Sequence, residues 1–81
     1  MNNYKFSFDA ECPNNGARIS YQVEIETDQV IMAENISRFF LSYTAAYHED
    51  IAESSYERFG GRQTIKAHHH GVDIETRRGW Q

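Results

Sequence analysis

The side chains whose types could support metal or thiol chemistry are few: His48, the run His68-His69-His70, and the single Cys12. Imidazole is a common ligand for zinc, copper and nickel. In an extended strand adjacent residues point to opposite faces, so of the three consecutive histidines only His68 and His70 share a side. A third ligand would have to come from elsewhere, from His48, Glu49 or Asp73. The HExxH and CxxC signatures are absent. His68, His70 and His48 are therefore the candidate ligands, and the expectation is of structural or surface histidines with no resident metal or cofactor. Cys12 has no second cysteine to pair with. Its setting, Glu11-Cys12-Pro13-Asn14, is a turn, which makes it an incidental turn residue.

Nucleophilic catalysis finds no support in motifs. No serine lies in GxSxG, and no glycine-rich phosphate loop exists. A chain of 81 residues can hardly enclose a large cleft. The expectation is a protein that is not an enzyme.

Charge is the more informative signal. Between Glu24 and Glu57 stand eight acids against Arg38 alone, giving −7. From Arg58 onward five bases face Asp73 and Glu75, giving +3, and residues 1–23 balance, so the total is −4. A nucleic-acid binder is normally basic, with its bases on one face. Direct nucleic-acid binding is thus disfavoured, and the acidic block points to a basic protein surface as partner. On a helix Glu49, Asp50, Glu53 and Glu57 fall together, opposite Ile51, Ser55, Tyr56 and Phe59. No lysine occurs between Lys5 and Lys66, so this stripe lacks the usual interspersed partners.

The elements that position these residues follow from periodicity. Tyr4, Phe6 and Phe8 alternate with polar residues, as do Ile19, Tyr21, Val23 and Ile25, the period-2 pattern of half-buried strands. Pro13-Asn14-Asn15-Gly16 between them supplies turn chemistry, so the two runs form an antiparallel hairpin. Thr27 or Asp28 can cap a helix, although the stiff Val30 and Ile31 shift its start toward Ala33. Met32, Ile36, Phe39, Phe40, Tyr43 and Tyr47 form one helical stripe. A second stripe, Ile51, Ala52, Ser55, Tyr56 and Phe59, is rotated away from it. Asp50-Ile51-Ala52-Glu53 reads as a capping box, so the stretch is two helices, or one sharply bent helix, broken near His48-Glu49-Asp50. Gly60-Gly61 ends the second helix. In Thr64–Thr76 the apolar parity flips between Ala67 and Val72, which predicts a hairpin with His70-Gly71 as its two-residue loop. That register sets His68 opposite Asp73 and Lys66 opposite Glu75. Residues 1–81 thus read as one domain of order ββααββ. The fold class is α+β, a two-layer sandwich of an antiparallel sheet of about four strands with helices on one face. The basic end, Arg77-Arg78-Gly79-Trp80, leaves Trp80 either folded back or exposed as a sticky contact.

No apolar run is long enough to span a membrane, and the N-terminus lacks a signal-peptide core, which predicts a cytoplasmic protein. In size, acidity, its lone cysteine, and a hairpin followed by helices carrying Glu49, Asp50, Glu53 and Glu57, the chain is similar to the small acidic α+β proteins of phages and mobile elements. Anti-CRISPR inhibitors are the best-known of these, and small toxin-immunity proteins share the same features. The resemblance implies stoichiometric inhibition in a host cytoplasm, with acidic side chains occupying a basic site that normally holds nucleic acid. The candidate partner-binding residues are then Glu49, Asp50, Glu53, Glu57 and Trp80. Two alternatives stand beside this reading: an assembly subunit, a homodimer for example, associating through strand edges and Trp80, and a small metal-binding protein using His68 and His70.

Overall fold

The computed structural model describes residues 1–80. Its order is β1 (Asn2–Glu11), β2 (Arg18–Thr27), α1 (Ala33–Leu41), α2 (His48–Phe59), β3 (Arg62–His69) and β4 (Val72–Arg78). The four strands make one antiparallel sheet in the order β1-β2-β3-β4, with both helices against one face, an α+β sandwich. The alternation dictates this. Residues at every second position of β2, from Ile19 to Ile25, are buried, whereas Ser20 and Gln22 between them are exposed. A sheet with one apolar face needs a cover on that face only.

In the first hairpin Phe6 lies opposite Val23 and Phe8 opposite Tyr21. The second has the register the sequence predicts. His68 lies opposite Asp73 and Lys66 opposite Glu75. The β3–β4 loop is His70-Gly71, with φ of 51° and 76°. Both central residues are left-handed, as a two-residue turn matching the sheet's twist requires.

The helices differ from the expectation at their ends. Thr27 is buried at the end of β2, and its hydroxyl accepts from the Gln29 N–H at 3.1 Å, forming a turn in place of a helix cap. The break falls at residues 42–47, ahead of the predicted position. Asp50 sits in the first turn of α2, where a carboxylate suits the positive end of the helix, and Tyr47 stands at the N-cap position without a side-chain hydrogen bond. The predicted stripe ends on exposed residues at both sides, Met32 and Tyr47, because these flank α1 outside its helical turns.

Phe40 occupies the centre of the core at 0% exposure. Its ring centroid lies 5.2 Å from Phe8, 6.1 Å from Phe6, 5.0 Å from Phe39 and 6.4 Å from Phe59, so it joins β1 to both helices. Offset and edge-to-face pairs add to the area each ring buries. Replacing Phe40 with alanine should lower the unfolding free energy by about 3–5 kcal/mol in urea titrations. Equal stability of the variant would remove Phe40 from the core.

Candidate functional site

The site begins with the backbone of Glu11, the last residue of β1. Its N–H donates to the Thr44 carbonyl at 2.9 Å, and its own carbonyl accepts from the Ala46 N–H at 3.2 Å. The connection between the helices therefore runs beside the end of β1 as a short parallel bridge. One residue further along each segment stand Cys12 and the Tyr47-His48 start of α2. Cys12 is fixed by the turn that follows: its N–H donates to the Ala17 carbonyl, and its carbonyl accepts from the Gly16 N–H, both at 2.8 Å.

Cys12, Tyr21 and His48 line one cavity of about 180 Å³, together with Ile19, Ala46, Tyr47, Ala67, His69 and Ile74. That volume exceeds the roughly 150 Å³ of an apolar cavity that takes up benzene, so it admits one six-membered ring. The cavity holds an unusual set of polar groups. Tyr21 is 1% exposed, yet its hydroxyl has no hydrogen-bond partner among the described residues. Both ring nitrogens of half-buried His48 are inaccessible and likewise unpartnered among the described residues. Buried polar groups are normally hydrogen-bonded, so three such atoms on two residues of one cavity lining are exceptional.

The rings are held firmly. Tyr21 stacks on Phe8 at 5.0 Å with a 10° interplanar angle, and the His48 ring lies 5.6 Å from that of Tyr21. Burial raises the Tyr21 pKa, and the nearby Cys12 sulfur raises it further, which keeps the phenol a donor. Burial lowers the His48 pKa; Glu49 opposes that shift, and Arg78 adds to it. His48 is thus held neutral, with one nitrogen free to accept a proton. Cys12 and His48 line the same cavity with no hydrogen bond between them, and a thiol brought within reach of a neutral imidazole can become a sulfur nucleophile.

The other predicted residues are placed differently. Arg78 reaches across from β4 to α2, donating to Glu49 at 2.7 Å and to Glu53 at 3.2 Å. Half the acidic stripe therefore has an internal partner, contrary to the expectation of an unpaired face. Sequence spacing could not show this, since the partner lies 25 and 29 residues away. Asp50 and Glu57 are exposed and make no ion pair among the described residues. Trp80 folds back. Arg62 and Arg77 sit over its ring, 4.8 and 5.3 Å from the centroid, and its indole N–H donates to the Gln63 carbonyl at 3.1 Å.

The three consecutive histidines go three ways. His68 pairs with Asp73 at 2.7 Å on the exposed face of the sheet. His69 lines the cavity, and His70 sits in the turn, 3.0 Å from the Asn15 side-chain nitrogen. No group of three potential ligands is close enough to hold a metal ion among the described residues. Two larger grooves, of about 650 and 410 Å³, lie on the polar outer side of the sheet around Gln22 and Lys66. Their walls include side chains already paired across the strands, Lys5 with Glu24 and His68 with Asp73.

Sequence reading assigned Tyr21 to the core and Cys12 to a turn, and both assignments hold as local structure. What it missed was their convergence with His48. The signal was present in outline: Tyr21 is the one polar-tipped side chain in the buried row Ile19, Tyr21, Val23 and Ile25.

The His48 shift has a consequence for stability. Its folded pKa lies below the ordinary 6.5 of the unfolded chain, so the unfolded state binds the proton more readily. The stability contributed by neutral His48 is present above pH about 6.5 and is lost as pH falls below it. Urea midpoints measured from pH 7.5 down to 5 should fall, and His48→Gln should flatten that decline. An identical decline in the variant would show that His48 titrates as it does in the unfolded chain.

No family model matches this sequence, and no curated protein resembles it significantly. Among solved structures, the chain is similar to an archaeosine synthase QueF-Like crystallised in the apo form, with a TM-score of 0.70 and 20% sequence identity over 99% of this chain and 94% of that one. At that identity the likeness is one of fold: a ββααββ sandwich of nearly the same extent.

Proposed function

We propose that this protein is a small thiol-dependent catalyst, or the catalytic subunit of one, with Cys12 as nucleophile and His48 as the base that takes its proton. The observation that carries the reading is the convergence of the one free thiol, a half-buried imidazole and a buried phenol on one ring-sized cavity. The substrate is a neutral molecule that inserts one ring, or one end, between Ile19, Ala67 and Ile74. Neutrality follows from the apolar walls, since a charge there would be desolvated without a partner. The neighbouring fold belongs to an archaeosine synthase, which supports reading the cavity as a place of chemistry. We extend the proposal to that class of substrate, a neutral precursor of archaeosine. A reactive thiol persists in a reducing compartment, which accords with the cytoplasm.

Alkylation by iodoethane, followed by mass spectrometry, tests the pair. At pH 7 Cys12 should react faster in the folded protein than in the urea-unfolded chain, and His48→Gln should slow the folded protein about tenfold or more. A rate that does not depend on folding or on His48 would end this reading. A neutral archaeosine precursor in excess should protect Cys12; absence of protection would withdraw the substrate class.

A second reading is favoured by the exposed, unpaired Asp50 and Glu57: a stoichiometric inhibitor of the anti-CRISPR kind, whose α2 binds a basic protein surface. Reversing Glu49 or Glu53 would test it poorly, because each holds Arg78. Asp50→Lys with Glu57→Lys leaves that clamp in place, and surface changes of this type cost stability only about ±0.5 kcal/mol each. The double variant should lose capture of a basic nucleic-acid-binding effector at 0.1 M salt. Retained capture would show α2 to be a solvated face.

A further inference from the structure

Tyr21 lines the cavity, its hydroxyl is buried and unpartnered among the described residues, and the proposed chemistry does not yet use it. Its position is rigid, because the ring stacks on Phe8 within the core and is 1% exposed. Its hydrogen has no protein acceptor among the described residues. A ligand seated in the cavity with an acceptor for this hydroxyl satisfies it, and one without leaves it unpaired and binds worse for it. The cavity therefore discriminates, and the discrimination is set by one hydroxyl beside one thiol.

We propose that Tyr21 is the specificity-determining donor of this site, selecting carbonyl- or imine-type electrophiles by hydrogen bonding to their oxygen or nitrogen. The inference rests on the reading of Cys12 as nucleophile. When sulfur adds to such a carbon, a C–S bond forms, the thiol proton passes to His48, and the π electron pair moves onto the heteroatom. That atom carries the developing charge, and a fixed donor directed at it stabilises the addition more than the starting ligand. A phenylalanine would fill the same space and keep the stacking on Phe8, but would supply no donor.

Two small alkylating probes separate the roles. Acrylamide places its developing charge on a carbonyl oxygen. Iodoethane has no oxygen or nitrogen, and its addition to sulfur breaks only the C–I bond. In Tyr21→Phe, alkylation of Cys12 by acrylamide should slow roughly tenfold, the loss of one buried hydrogen bond, while the iodoethane rate stays within about twofold. The variant should melt at the same temperature or higher, because the lost hydroxyl had no protein partner. If both probes slow equally, Tyr21 only shapes the cavity; if neither slows, its hydroxyl does not face the reacting atoms. Either result overturns the proposal. The native protein gives an independent measure: its acrylamide-to-iodoethane rate ratio should exceed that of free glutathione at the same pH, and an equal ratio also overturns it. Failure of the nucleophile reading looks different, since then even iodoethane would find Cys12 no more reactive in the folded protein than in the unfolded chain.

Discussion

The two hydrogen bonds of the Glu11 backbone, to Thr44 and from Ala46, organise the rest of this protein's chemistry. A sheet edge left open is a row of unpaired donors and acceptors. Here the end of β1 satisfies two of them with the connection between the helices. The connection is thereby tied to the sheet, α2 starts at His48, and that imidazole lines the same cavity as the cysteine that follows Glu11. The same tether explains why the helix break precedes the capping-box residues. Residues 42–47 have a tertiary partner for their backbone, and local capping chemistry is weaker than that by comparison.

Charge in this molecule is arranged by the same crossing of distant segments. The acidic α2 and the basic end of β4 look, in sequence, like two separate blocks of opposite sign. In the fold Arg78 spans them, and its position beside His48 helps keep that imidazole neutral. Exposed ion pairs contribute little stability, typically about 0–1 kcal/mol. The consequence of the Arg78 clamp is therefore chiefly local: it orients Glu49 at the mouth of α2 and sets the field around the cavity.

The C-terminal segment is secured by a polar knot in place of apolar burial. Gln63 is buried, and its side chain accepts from the Ser55 hydroxyl and donates to the carbonyls of Ser55 and Gly60. Its backbone carbonyl receives the Trp80 indole. Gly79, at φ 80°, permits the approach, since a Cβ there would run into the Gly61 carbonyl oxygen. A fully satisfied network of this kind fixes one arrangement, because any alternative strands a buried polar group.

Periodicity alone determined the four strands, the two helical stripes, the order ββααββ and the register of the second hairpin. These depend on neighbours within a few residues, and side-chain alternation and turn chemistry are local rules. The parity flip between Ala67 and Val72 was enough to locate the left-handed His70-Gly71 loop. What required the tertiary structure was every pairing across long separations: Arg78 with Glu49 and Glu53, Trp80 between Arg62 and Arg77, and Cys12 with Tyr21 and His48. No motif spacing encodes the last of these, because the three residues come from a turn, a central strand and a helix start. Each is ordinary where it stands. Their shared cavity, with its unpartnered hydroxyl and imidazole, exists only because closing the helices over one face of the sheet brings those three places to the same end of the core.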